Sequence, residues 1–293
     1  MNHGGRGTFV TEPLGYGDPD AGIPTDNKDL EGDRHDGQCP IRDFCDWPTT
    51  AKETFAVGDN RRRRPSLTPS HVAQVHRVVE DGGVEPGREV HTDADYDEWV
   101  ARIVESHSAP QSPTLLFAYG SLIWKPEIEH VGERPGIARG WHRSFCFRMT
   151  RFRGTIEQPG LMMALDRGGQ CRGVLYELPR NDLEGQLGRL FRREFRYKPA
   201  NSMPRWISVS TASGAIPALT FVMNRLSPLY AGGLSLEAVA DVLAKACGHM
   251  GSGAEYLLNT VSHLEAKGIR DRNLWRLQSL VAERIERMSS HRD

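Results

Sequence analysis

No stretch of this 293-residue chain holds the roughly 18 consecutive apolar residues that a membrane-spanning helix needs, so the sequence offers no candidate span. The opening residues, Met1-Asn2-His3-Gly4-Gly5-Arg6, lack the apolar core of a secretory signal. Charge of one sign is missing too. The 37 Lys and Arg against 38 Asp and Glu leave a formal net charge of -1, which gives no overall pull toward nucleic acid or an acidic membrane. Cysteine is scarce and unevenly spaced. The 5 present do not suit a disulfide scaffold in a chain this long, and a reduced, cytoplasmic setting is the expectation. The nucleotide loops G-x-x-x-x-G-K-[ST] and G-x-G-x-x-G are absent, which removes the usual phosphate-cradling motifs.

What is present changes along the chain. Residues 1–66 are rich in Gly, Asp, Pro and Arg and poor in apolar residues. Such a segment buries too little surface to offset its ordering entropy and reads as a disordered extension. The basic run Arg61 to Arg64 reads as a solvated linker, because no aromatic residues interleave it for stacking on bases. His35, Cys39 and Cys45 have irregular spacing and no fourth ligand nearby, so no zinc site is expected there. Residues 67–109 read as a helical lead-in. Thr68-Pro69-Ser70 caps a pattern with Val72, Val75, Val78 and Val79 on one face, ended by Gly82-Gly83, and a second helix carries Tyr96, Trp99, Val100, Ile103 and Val104.

Residues 110–290 form the main domain. Leu115 to Tyr119 reads as a short apolar strand stopped by Gly120-Ser121, and Gly140 to Met149 as a second. Leu161 to Leu165 and Val174 to Leu178 suggest a hairpin turning at Arg167 to Gln170. Ile207 to Thr211 and Ala218 to Met223 suggest another, turning at Ser213-Gly214. Three helices follow, over Leu236 to Cys247, Ala254 to Lys267 and Asn273 to Met288. Strands and helices mix without a βαβ rhythm, so the expected class is α+β.

The segment Asn181 to Phe195 carries an anomaly. Asn181 with Glu184 suggests a capping box, and at about 100° per residue Leu183, Leu187, Leu190 and Phe191 form one apolar stripe. Glu194 falls on that stripe, while Arg189, Arg192 and Arg193 lie away from it. An acid there faces the core and sits in a last turn, where the helix dipole opposes negative charge. Two explanations stand: an ion pair with a nearby arginine, or a general acid/base whose pKa burial has raised. Glu157, in a polar loop, and His142, on a strand, are weaker acid/base candidates. Cys146 and Cys171 read as small buried strand residues, and His249 and His263 lack metal-ligand spacing.

Tyr119-Gly120-Ser121-Leu122 follows a strand directly. A strand ending in Gly-Ser can turn several backbone N–H groups outward as a nest for an anion or carbonyl, although a plain tight turn explains the tetrapeptide as well. The longer run Phe117-Ala118-Tyr119-Gly120-Ser121-Leu122-Ile123-Trp124-Lys125-Pro126 resembles the signature of the ChaC family of γ-glutamylcyclotransferases. In order, Gly140-Trp141-His142-Arg143, Arg153-Gly154-Thr155, Pro159-Gly160, Gly173-Val174-Leu175-Tyr176, Arg193-Glu194 and Glu255-Tyr256-Leu257-Leu258 agree with it. The resemblance implies a small mixed β-barrel with flanking helices and a lyase that cyclises the γ-glutamyl group of glutathione, releasing 5-oxoproline and cysteinylglycine. It places the substrate loop at Tyr119, Gly120, Ser121, Leu122, Ile123 and Trp124, and the catalytic residue at Glu194. Tyr256 is a candidate partner of substrate or of Glu194, or else a helix-packing tyrosine. No cofactor, metal, nucleic-acid or membrane partner is implied, and a monomer or weak dimer is expected. Phe195 to Pro199 departs from the Gly-Gly-Tyr pattern of some members, which bears on the pocket near the leaving dipeptide. The same ring closure on other γ-glutamyl amino acids or amines, and a non-catalytic γ-glutamyl-binding regulatory module, are the alternatives.

Overall fold

A computed structural model describes residues 66–84, 87–108 and 111–290. The expectations for residues 1–65, including the Arg61 to Arg64 run and the His35, Cys39 and Cys45 set, lie outside the described residues. In chain order the elements are α1 (Pro69–Val75), β1 (Glu89–Val90), α2 (Asp93–Glu105), β2 (Leu115–Ala118), a 3-10 turn (Ser121–Ile123), β3 (Gly132–Met149), β4 (Gly160–Glu177) and α3 (Leu183–Glu194). There follow β5 (Tyr197–Lys198), β6 (Ser202–Thr211), β7 (Gly214–Met223), α4 (Leu236–Leu243), β8 (Cys247–Gly248), β9 (Gly251–Ser252), α5 (Gly253–Ala266) and α6 (Arg272–Ser290).

Five strands close into a barrel in the order β2-β4-β3-β6-β7, and β7 returns parallel to both β2 and β4. The class is α+β, as the strand and helix pattern anticipates, and the mixed barrel with flanking helices is the form that the resemblance implies. β2 is buried at all four positions, which is why its sequence is a continuous apolar run rather than an alternating one. The β6–β7 hairpin turns where Ser213-Gly214 predicts.

The expected hairpin at Arg167 to Gln170 does not exist. β4 runs straight through it, paired with β3 from Gly132↔Glu177 to Met149↔Gly160. Gly168 and Gly169, at φ 106 and 67, instead stand opposite the single Gly140, at φ 78, between the pairs Arg139↔Gln170 and Trp141↔Arg167. A bulge needs the same positive φ as a turn, so the sequence pattern alone does not separate them. β3 also begins eight residues before Gly140, because Gly132 to Arg139 pair with Glu177 to Gln170 of β4; Pro135 is tolerated there because it lies outside the two-residue register with β6.

The helix ends differ as well. α1 stops at His76, which is extended, and Val78 is 93% exposed, so the apolar face does not continue to Val79. α4 ends at Leu243, and Cys247-Gly248 turn into a small ladder with Gly251-Ser252. The capping box expected at Asn181 is not formed. Asp182 is the N-cap in a left-handed conformation, φ 66, and its carboxylate accepts from Arg189 at 2.9 Å instead. A true capping box sits at Thr92, whose hydroxyl accepts from the Asp95 N–H (3.3 Å) while Asp95 accepts from the Thr92 N–H (2.6 Å), worth about 1 kcal/mol.

The lead-in shares the core. Tyr96, Val100 and Ile103 of α2 are buried, and the Tyr96 hydroxyl donates to the Phe195 carbonyl at 3.0 Å. The Phe195 ring lies 5.8 Å from Tyr96, 5.7 Å from Trp99 and 5.3 Å from Phe191. α2 therefore pins the residue at which α3 ends, and with it Glu194. Among the described residues no helix is long and apolar enough to cross a membrane.

Candidate active site

β2 delivers the chain to Tyr119-Gly120, and the 3-10 turn then reverses it. The bonds of that turn begin with the Ile123 N–H donating to the Gly120 carbonyl at 2.9 Å, so the N–H groups of Gly120, Ser121 and Leu122 precede them. Arg143, whose side chain is 3% exposed, donates through Nε to the Tyr119 carbonyl at 2.6 Å, and through its other nitrogens to the Arg172 carbonyl and to Asp271 at 3.2 Å. Because the peptide is planar and trans, holding the Tyr119 oxygen on one side sends the Gly120 N–H to the other. A Cβ on Gly120 would stand 2.9 Å from Met163 Cε and 3.4 Å from the Tyr256 hydroxyl, so a side chain here would have to displace the flexible end of Met163.

Glu194 is the last residue of α3, and its side chain is 17% exposed. Burial pushes its carboxyl up to about 7; Arg193 opposes the rise and Glu127 adds to it. Arg193 Nε lies 3.3 Å from Glu194 Oε1. The same guanidinium donates to the Lys125 carbonyl, reaches Ser121 Oγ at 3.4 Å and stands 3.6 Å from Glu127. The sequence pattern set Arg193 aside as facing away from the stripe. Its long stem instead folds back to tie Glu194 to the 121–127 loop, a reach that helical phasing does not represent. The ion pair and the raised pKa thus coexist, because desolvation outweighs the one guanidinium.

Glu194, Tyr119, Gly120, Ser121, Leu122, Trp124 and Tyr256 all line one cavity of about 620 Å³. The size falls within the usual range for small-molecule sites. Ile123 is not among the lining residues; it is 7% exposed and packs in the core. Burial holds the Tyr119 and Tyr256 hydroxyls up, Tyr256 to about 12, and the charge of Glu194 adds to both, so both stay protonated donors at neutral pH. Trp124 Nε1 is buried without a hydrogen-bond partner in the same wall. Arg88, Lys125, Arg148, Arg151, Arg153, Arg193 and Arg196 also line the cavity against only Glu127 and Glu194, which suits an anionic ligand.

The weaker candidates fall elsewhere. Glu157 is exposed and outside the cavity. The ring of His142 bonds the Gly168 carbonyl at 3.0 Å, His249 stacks near Phe152 at 5.3 Å, and His263 lies 5.8 Å from Trp124. Cys146 and Cys171 are buried, and burial pushes both thiols up to about 11, away from thiolate chemistry. Sequence reasoning missed Arg193, Arg143 and the basic rim. Arg143 had a signal, since it ends the Gly140-Trp141-His142-Arg143 run, but nothing in the pattern shows that it reaches across to Tyr119.

Comparison with known proteins matches residues 114–284 to a family model described as ChaC-like protein. A glutathione-specific γ-glutamylcyclotransferase of Escherichia coli K12 is 36% identical over 165 residues, covering 56% of this chain and 71% of that protein. A glutathione-specific γ-glutamylcyclotransferase 1 of Danio rerio is 27% identical over 186 residues, 60% of this chain and 93% of that protein. Among solved structures, a yeast γ-glutamyl cyclotransferase specific to glutathione aligns with a TM-score of 0.53 and 19% identity, covering 59% of this chain and all 100% of that one. At that identity the likeness speaks for the fold.

Proposed function

The chain belongs to the ChaC-like protein family, and we propose that it is a glutathione-specific γ-glutamylcyclotransferase in which Glu194 is the general acid/base. The observation that carries the assignment of Glu194 is a poorly hydrated carboxyl, titrating at about 7, in the same cavity as the glycine turn after β2. A base poised near the working pH has the largest useful fraction ionised while keeping driving force for proton transfer.

The reaction is intramolecular. The substrate's α-amine nitrogen attacks its own γ-carbonyl carbon, a C–N bond forms, and the carbonyl oxygen gains charge. Glu194 takes the proton that the amine loses and returns it to the amide nitrogen as the original C–N bond breaks. 5-Oxoproline and cysteinylglycine result, with atoms and charge balanced. The nucleophile is tethered, so the protein mainly folds the substrate into a near-attack shape. In this reading the N–H groups of Gly120, Ser121 and Leu122 grip the γ-glutamyl unit and stabilise the oxyanion, and Tyr119, Trp124 and Tyr256 supply further donors. Nothing in these steps calls for a metal, a nucleotide or a covalent intermediate. Residues 110–290 would be the catalytic domain, with 67–109 as its lead-in, working as a monomer or weak dimer. The buried free thiols of Cys146, Cys171 and Cys247 support a reducing, cytoplasmic setting.

The test is incubation of purified protein with glutathione and assay for 5-oxoproline and cysteinylglycine. Release of both supports the reading, and absence of both refutes it. γ-Glutamyl-alanine as a parallel substrate separates glutathione specificity from general γ-glutamyl cyclisation.

A further inference from the structure

One wall of the cavity comes from outside the matched family region. Arg88 precedes β1, which pairs antiparallel with β5 through Glu89↔Lys198 and Val90↔Tyr197. The pairing lays the Arg88 guanidinium over the Tyr197 ring, 4.9 Å from its centroid. Its Nε is buried and has no hydrogen-bond partner, and no ion pair joins Arg88 to a carboxylate among the described residues.

The neighbouring cations are already engaged. Arg151 donates twice to Asp81, at 2.7 and 2.6 Å, and once to the Tyr197 hydroxyl at 2.6 Å. Arg153 is held by Glu255 at 2.8 Å and Lys125 by Glu127 at 3.0 Å. Arg148 and Arg196 are exposed, so water serves them. Arg88 is the half-buried one, flattened on an aromatic ring with a desolvated donor facing no anion. That arrangement costs free energy until a carboxylate arrives, and a guanidinium fork is matched to a carboxylate.

We infer that Arg88, supported by Tyr197, is a specificity residue that binds the terminal carboxylate of the departing dipeptide. The inference rests on the γ-glutamyl reading of the site. Tyr197 follows Glu194 by three residues, so the two Cα atoms stand at most roughly 10 Å apart. Two residues of extended chain, roughly 7 Å, separate the scissile carbonyl of glutathione from its terminal carboxylate. The substrate's own α-carboxylate is beside the attacking amine and stays with the ring product, so it belongs at the Gly120 turn. The terminal carboxylate is the anion left for the far wall. Because Arg88 lies before residue 114, this subsite is contributed by the lead-in, outside the matched region.

The experiment compares glutathione with its C-terminal carboxamide, as substrates of the wild type, Arg88→Gln and Arg88→Lys. For the wild type, KM is expected to rise about 10- to 100-fold on the carboxamide with kcat held, the loss of a charge-assisted pair. Arg88→Gln should raise KM for glutathione by a similar factor and leave KM for the carboxamide unchanged. Arg88→Lys, with charge but no fork, should fall between. If the wild type turns over both substrates with equal KM, or Arg88→Gln weakens both alike, the inference is wrong while the cyclotransferase reading stands. If the wild type releases no 5-oxoproline from glutathione, that reading fails and takes the inference with it. Should Arg88→Gln not fold, Arg88→Lys on the two substrates decides: a KM for glutathione equal to that of the wild type overturns the inference.

Discussion

Replacing Glu194 by Gln keeps size and hydrogen bonding but removes the titrating proton, so activity and stability should move in opposite directions. Loss of general acid/base catalysis is worth about 10²- to 10⁴-fold in kcat. For stability, the sign follows from the raised pKa. A carboxyl that titrates near 4.3 in the unfolded chain and at about 7 in the folded one binds its proton more tightly when folded. Between those values the folded protein holds more protons than the unfolded one, so raising the pH lowers stability. The penalty is nil below about pH 4, grows through the interval and levels above about pH 7 at about 4 kcal/mol. Glu194→Gln should therefore match the wild type in acid and be the more stable protein at pH 8 by up to that amount, several degrees in Tm. 5-Oxoproline release and denaturant melts at pH 4.5 and 8 read both effects. In the wild type, kcat/KM should fall about tenfold per pH unit below 7 as Glu194 protonates. A Gln variant that keeps near-full turnover, or that loses stability at pH 8, would mean that Glu194 is chiefly a structural partner of Arg193.

Three further substitutions follow from the same geometry. Gly120→Ala puts a methyl 2.9 Å from the flexible end of Met163, so the fold should hold at a cost of about 1 kcal/mol while KM rises at least about tenfold, read by steady-state kinetics beside a thermal melt. Tyr256→Phe removes one hydroxyl from a side chain 3% exposed, so turnover should fall about tenfold with stability within about 1 kcal/mol, and unchanged turnover would make Tyr256 a packing residue. Arg143→Lys keeps charge but cannot serve the Tyr119 carbonyl, the Arg172 carbonyl and Asp271 together, so denaturant melts should show a loss of about 2–3 kcal/mol and kcat should drop with it.

The parts of this fold that were legible in the sequence are those set by local pattern. Phe117 to Ser121, the Ser213-Gly214 hairpin and the α5 helix need only a run of side chains and a breaker to be recognised. Where one signal serves two structures, local reading chose the commoner. Gly168-Gly169 met the requirement of a turn and of a bulge equally, and only pairing with β3 across the barrel decides for the bulge. Val78 and Val79 continued a helical period, yet the chain turns extended at His76 and leaves Val78 93% exposed, so tertiary contact rather than spacing ended α1.

The site divides along the same line. Glu194 was conspicuous because an acid on an apolar stripe violates a local rule, and such violations concentrate where chemistry is done. Arg193, Arg143 and Arg88 violate nothing in sequence: each is an arginine among polar neighbours, and what sets it apart is how far its side chain travels. Arg193 returns to the 121–127 loop, Arg143 crosses from β3 to the carbonyl of Tyr119, and Arg88 depends on a two-residue strand pairing with β5. The proton transfer proposed for Glu194 would thus be inscribed in one position of one helix. The orientation of that helix end depends on partners far away in sequence: Phe195 is held by Tyr96 of α2 at a separation of 99 and Lys198 by Glu89 at a separation of 109, while the facing Tyr119 turn is held by Arg143 at a separation of 24. Loosening those supports should therefore misplace Glu194 while leaving its burial, and hence its titration near pH 7, largely intact. A variant such as Tyr96→Phe, which removes only the hydroxyl bonded to the Phe195 carbonyl, is expected to lower kcat severalfold without moving the midpoint of the pH profile. A midpoint that drops toward 4.3 would show instead that the α2 contact keeps water from Glu194 rather than aiming it.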